Sequence, residues 1–175
     1  MPTIFSHAVF ASSLGSMFRL AHDRARFWLL TATCAMLPDA DVLSFGLGVR
    51  YESMFGHRGI THSILFALAL GILISVVFYS QSEIAKWKLA LYFALVTATH
   101  PFLDMFTNGG RGVALFAPFS AERFFFSWRP IEVSPIGLDF FSERGFGVIS
   151  SEIIWIWIPS AIIFLFAWLV RRRFW

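Results

Sequence analysis

The chain is poor in charge and almost free of cysteine. Only 14% of its 175 residues are charged, against 57% that are hydrophobic. That is too little polar surface to clothe a soluble globule of this size, and an integral membrane protein is what the balance implies. The single cysteine, Cys34, excludes an intrachain disulfide and any zinc site built on cysteine. Lying within an apolar run, it reads as a small core residue. An acidic excess is missing too: 14 Lys/Arg stand against 11 Asp/Glu, and the basic residues sit at the ends of apolar segments. This placement suits membrane flanks, and no nucleic-acid partner is expected. The N-terminal stretch lacks a basic region, an uninterrupted apolar run and a small-residue cleavage site, so no cleaved signal peptide is expected.

What is present is a series of apolar segments separated by polar turns. The length suits one domain, read as a helical core over 1–106, a loop over 107–150 and an anchor helix over 151–175. Residues 3 to 18 read as a helix interrupted by serines and glycine, a composition that favours packing against other helices over lipid. His7 lies one turn inside it. A polar turn follows with Arg19, His22, Asp23, Arg24 and Arg26, where His22 is expected to be solvated. Residues 27 to 37 form a second apolar piece, ended by Pro38. At ~1.5 Å per residue it reaches about 17 Å, short of the ~30 Å hydrocarbon core. It therefore delivers Pro38-Asp39-Ala40-Asp41 within the membrane or near its surface. An extended turn there would point Asp39 and Asp41 the same way, as paired metal ligands need. A polar loop with an Asx turn is the equal alternative.

Residues 42 to 56 read as a flexible connection, leading into His57-Arg58-Gly59-Ile60-Thr61-His62-Ser63. Thr61 is the expected N-cap of an apolar helix over 62–79. His57 and His62 would diverge by ~140° on one helix, so a turn between them is needed if they are to converge. The open N–H groups at this terminus, with Arg58 beside them, suit an anion. After a polar hairpin tip at 80–88, a helix over 86–106 carries His100 and Asp104, four apart and so on one face. That pair can offer two ligands to one metal, or one ligand and the carboxylate that orients it; a His–Asp hydrogen bond locking two helices is the plainer reading. Pro101 is expected to kink the helix there.

The long connection over 107–150 is rich in Gly, Pro and Phe, with Val113–Phe116, Phe124–Phe126 and Ile131–Val133 as possible short strands or as loop lying on the bilayer. A last span over 153–170 ends in Arg171-Arg172-Arg173. The expected fold is thus all-α: a polytopic helical membrane protein with about four membrane-associated helices and an irregular or short-stranded loop subdomain. Placing the terminal arginines in the cytoplasm brings His7, Asp39/Asp41, His57/His62 and His100/Asp104 to one face, the extracytoplasmic one. The basic residues split only 8 inside to 6 outside, so the shared face is firmer than its side.

His7, Pro38-Asp39-Ala40-Asp41, His57-Arg58-Gly59-Ile60-Thr61-His62-Ser63 and His100-Pro101-Phe102-Leu103-Asp104, in that order between apolar helices, resemble the YdjM-like family of inner-membrane proteins. That family is described as membrane-bound metal-dependent hydrolases, distantly similar to zinc phospholipase C and the P1-type nucleases. The resemblance implies metal-ligand roles for His7, Asp39 or Asp41, His57 or His62, and His100 with Asp104. No histidine follows His100, so the later ligands of a three-metal cluster are absent and one or two metals is the expectation. It also implies a bacterial inner membrane setting.

The activity expected is hydrolysis of a phosphoester in a lipid-linked or membrane-proximal substrate. A divalent metal is required, zinc favoured by the histidines, with Mn or Mg open to the carboxylates. Asp39 or Asp41 would act as general base and Arg58 would offer charge to the developing oxyanion. The rival class is a scaffold or envelope-stress protein with a structural His/Asp cluster. A metal or proton transporter is weaker, because the hairpin offers only Ser75 and Thr97 as a polar path. Nothing in the sequence specifies an oligomeric state.

Overall fold

The computed structural model describes residues 1–18, 24–135 and 140–174; the expected Arg19–Asp23 part of the polar turn, with His22, lies outside the described residues. Helix α1 (Ile4–Gly15) starts at Thr3, whose side chain accepts from the Ser6 amide. Helix α2 (Arg24–Met36) stops where Pro38 prevents its continuation. Instead of an extended turn and a flexible link, the chain then winds into a 3-10 helix, Leu37–Leu47, closed by Gly48 in the left-handed region (φ 75°). This changes the aspartates. In a three-residue turn, positions two apart diverge, so Asp39 and Asp41 meet His62 at opposite ring nitrogens, Nε2 and Nδ1.

Residues 51–59 are tight turns. Gly59 is needed where it stands, because a Cβ there would lie 2.2 Å from the Met54 carbonyl oxygen. A short 3-10 turn (Ile60–His62) follows, and Ser63, not Thr61, caps helix α3 (Ile64–Phe78) by accepting from the Phe66 amide. Thr61 is turned to Asp41 instead.

Helix α3 is apolar apart from Ser75, and its outer face, including Leu65, Leu68, Ile72 and Val76, is exposed. Its inner face packs on helix α4 (Lys86–Asp104). The two approach closely at Gly71, where a Cβ would lie 2.4 Å from the Ala90 carbonyl oxygen and 2.6 Å from the Ala94 amide. Small residues at such a crossing are how helices associate in lipid. On α4, Leu89, Phe93, Val96, His100, Leu103 and Asp104 recur at helical spacing on the buried face. They meet α1, α2 and α3, and one apolar core forms around Ala11, Phe27, Cys34, Leu70, Phe93 and Val96.

The loop after α4 is irregular. Among the described residues it holds only isolated bridges, Thr107 to Ile131 and Val113 to Phe124, so of the two expected forms the irregular one is present and the short strands are not. Its polar backbone is bound instead to the His57–Ile64 segment: Ala114 N donates to Arg58 O (3.0 Å), and Ile64 N to Leu115 O (3.0 Å). The last helical run begins ten residues before the expected span. It comprises α5 (Glu143–Glu152), a π turn (Ile153–Trp157) and α6 (Ile158–Phe174). Of the described helices, this run, Glu143–Arg173, is the one long and apolar enough to cross a membrane; Ile4–Gly15 and Ile64–Phe78 are apolar but shorter.

Candidate metal centre

Four side chains from three elements converge between the ends of α2, α3 and α4. Asp39 comes from the first 3-10 helix, His62 from the second, and His100 and Asp104 from the last turns of α4. His62 Nε2 lies 3.6 Å from Asp39 Oδ1 and 3.4 Å from Asp104 Oδ2, while His100 Nε2 lies 3.2 and 3.9 Å from the same two oxygens. Bonds of about 2.0–2.2 Å from a tetrahedral zinc ion to N and O ligands imply ligand-to-ligand edges of about 3.4 Å. The four spacings bracket that value. All four residues are at most 4% exposed.

Apart from Asp104 Oδ2, which faces the Arg58 guanidinium, the donor atoms have no firm partner in the protein itself. Both oxygens of Asp39 and of Asp104, Nε2 of His62 and of His100, and both nitrogens of His7 are buried without a hydrogen bond. Each such atom costs about 1–3 kcal/mol unless something accepts it. A cation would. His7 stacks on His100 with ring centroids 3.7 Å apart, and its Nε2 is 3.7 Å from Asp104 Oδ1, the oxygen on the other side from His62 and His100. The donor set and its spacing therefore fit a divalent metal.

The opposite edges of the two imidazoles are occupied. His100 Nδ1 is 2.7 Å from the Ala35 carbonyl, so it carries the proton there and turns Nε2 inward. His62 Nδ1 is 3.1 Å from Asp41 Oδ2 and 3.0 Å from Thr61 Oγ1. Asp41 also accepts from Arg58 N (3.0 Å) and Thr61 Oγ1 (2.8 Å), and its Oδ1 meets His57 Nδ1 at 2.6 Å. Asp41, His57 and His62 are thus a second cluster with metal-ligand chemistry, but one closed by hydrogen bonds. The sequence pairs Asp39 with Asp41, and His57 with His62; the structure puts Asp39 and His62 at the centre and Asp41 and His57 behind them.

Arg58 is wholly buried at φ 60°. Its Nε lies 3.0 Å from Asp104 Oδ2, and its other two nitrogens donate to Gly109 O (3.1 Å) and Thr107 Oγ1 (3.0 Å). Every nitrogen of the guanidinium is engaged. Burial opposes charge on Asp39, Asp41 and His62, but their mutual contacts outweigh it. His100 and His62 beside Asp39, and His57 and His62 beside Asp41, hold both carboxyls below the usual carboxylate range. Despite burial, the Asp104, Asp39 and Asp41 carboxylates beside it push His62 up to about 10. The centre is anionic enough to hold a proton when nothing else is bound.

Residues outside the sequence motifs complete the support. Arg123 donates to the carbonyls of His57 (3.1 Å), Gly112 (3.2 Å) and Tyr51 (3.1 Å), tying the loop to the histidine turns. Nothing in its sequence context marks it. Thr107 has a weak signal, three residues beyond Asp104 in a Thr-Asn-Gly-Gly turn.

Two comparisons bear on identity. The chain is 37% identical to the inner membrane protein YbcI of Escherichia coli (strain K12), over 98% of this chain and 100% of that one. No solved structure matches it. The family profile described as YdjM inner membrane protein matches residues 1–174, and the chain belongs to that family.

Proposed function

We propose that this inner membrane protein is a metal-dependent hydrolase acting on phosphoesters of a lipid-linked or membrane-proximal substrate. The observation that carries the reading is the set of buried donor atoms without hydrogen bonds, spaced as the edges of a metal's coordination shell. Asp39, His62, His100 and Asp104 would hold the ion. Zinc suits two imidazoles and two carboxylates at these spacings, and Mn or Mg remains compatible with the carboxylates. Bound there, such an ion supplies Lewis acidity toward a phosphoryl oxygen and makes water acidic at neutral pH.

His7 favours catalysis over a structural ion. Its unpartnered Nε2 faces the Asp104 oxygen that the first four donors leave over, which starts a second position beside them. Structural sites are closed, whereas catalytic ones keep a place for water. Asp41 and His57, 2.6 Å apart, orient His62 from behind the centre, and Asp39, whose two oxygens have no hydrogen bond, is the carboxylate left to serve as general base. Arg58 acts through Asp104, which it holds in line, in preference to serving as a free oxyanion donor. The expected multi-pass topology, with the centre on the extracytoplasmic side, goes with this reading: the apolar outer face of α3 suits lipid, and the arginines end α6.

A second reading is a non-catalytic scaffold with a structural ion, favoured by the near-complete enclosure of the four donors. Metal analysis of purified wild-type and His100→Ala protein, with a phosphodiester hydrolysis assay on each, separates them. Stoichiometric zinc in the wild type alone, with zinc-dependent turnover, supports the hydrolase. Zinc without turnover supports the scaffold, and equal background metal in both removes the centre.

A further inference from the structure

Glu152 is fully buried within the run of helix that is long enough to span a membrane, next to residues as exposed and apolar as Ile153, Ile154 and Trp155. A carboxylate in that setting is expensive and calls for partners. It has them, and its hydrogen-bond partners lie at the cap and first turn of α1: Thr3 Oγ1 at 2.7 Å, Ser6 Oγ at 2.6 Å, and the Thr3 amide. Ser6 Oγ also accepts from Trp157 Nε1 at 2.7 Å. Glu152 and Trp157 are five residues apart, which on an α-helix would turn them about 140° away from each other. The π turn between them, with its i to i+5 bonding, brings both to one face.

The next residue after Ser6 is His7. His62 and His100 are each aimed by a hydrogen bond at Nδ1, but His7 has none at either nitrogen. Its aim toward Asp104 comes from the placement of α1 and from stacking on His100 alone. We infer that Glu152, presented with Trp157 by the π turn, is a positioning residue for His7: it clamps the first turn of α1 and so holds the fifth imidazole-or-carboxylate donor at the metal centre. This rests on the metal centre proposed above.

Two readouts test it on the full chain in detergent. Cobalt(II) titrated into metal-free protein reports the ligand set through its visible bands, and hydrogen exchange of α1 in metal-free protein reports the clamp itself. Glu152→Ala should reproduce the band change of His7→Ala and weaken cobalt binding about tenfold or more. Exchange of α1 should quicken while that of α3 and α4 stays as in the wild type. Glu152→Gln, which keeps an acceptor for the hydroxyls, should restore part of both. Wild-type bands and affinity in Glu152→Ala overturn the inference, as does unchanged exchange in α1. A wild type that takes up no cobalt, with α1 still loosened in Glu152→Ala, defeats the metal centre and leaves only the clamp.

Discussion

Asp104 and Arg58 face each other across the interior, with Nε 3.0 Å from Oδ2 and neither side chain exposed by more than 1%. The pair has unequal members. Asp104 has further acceptor capacity facing His7, His62 and His100, whereas Arg58 has, among the described residues, only Thr107 and Gly109 besides.

Removing the acid therefore strands the base. Asp104→Ala should destabilise the protein by about 3–5 kcal/mol, the cost of an unpaired buried charge, visible as a lowered unfolding midpoint in detergent. Asp104→Asn, which keeps a carbonyl oxygen for Nε, should lose much less stability while still losing metal.

Asp41 offers a cleaner separation of support from ligation. Its oxygens are spent on His57, His62, Thr61 and the Arg58 amide. Asp41→Asn should weaken zinc binding about 10–100-fold with the fold retained, measured by competition with a chelating dye. His62→Ala or Asp39→Ala should abolish it.

Metal binding should release a proton. In metal-free protein three carboxylates hold the proton on His62, with its pKa pushed up to about 10. At pH 7 that imidazole is charged, and an ion can take Nε2 only by displacing its proton. Affinity should rise with pH up to that value and fall on acidification. Calorimetric titration at pH 7 in buffers of different ionisation enthalpy should show about one proton released in wild type.

Gly71 tests the helix pair. Its missing Cβ leaves room for the Ala90 carbonyl and the Ala94 amide, both backbone atoms that cannot turn aside. Gly71→Ala should push α3 from α4 and cost about 1–3 kcal/mol. Because His62 leads into α3 and His100 lies on α4, zinc affinity should fall with stability.

Much of this was legible in the residues and some was not. His100 and Asp104 sit on one helix, so spacing alone placed them on one face, as α4 has them. The gathering of Asp39 and His62 beside them followed from apolar segments folding back on each other. The division of labour between Asp39 and Asp41, and between His57 and His62, was hidden, because it depends on whether the chain between two apolar pieces winds or extends. Pro38 stands at the start of the 3-10 helix, and a proline permits either. The clamp by Arg123 and the pairing of Glu152 with Thr3 and Ser6 join residues far apart in the chain, where no local periodicity speaks.

The four central donors stand at 39, 62, 100 and 104, and only the last two are near neighbours in the chain. An unfolded or half-inserted polypeptide thus offers an ion little more than one two-point grip. Loading must wait until the fourth helix has left the ribosome and docked, so the nascent protein passes through its early biosynthesis blind to the ion it is built to hold.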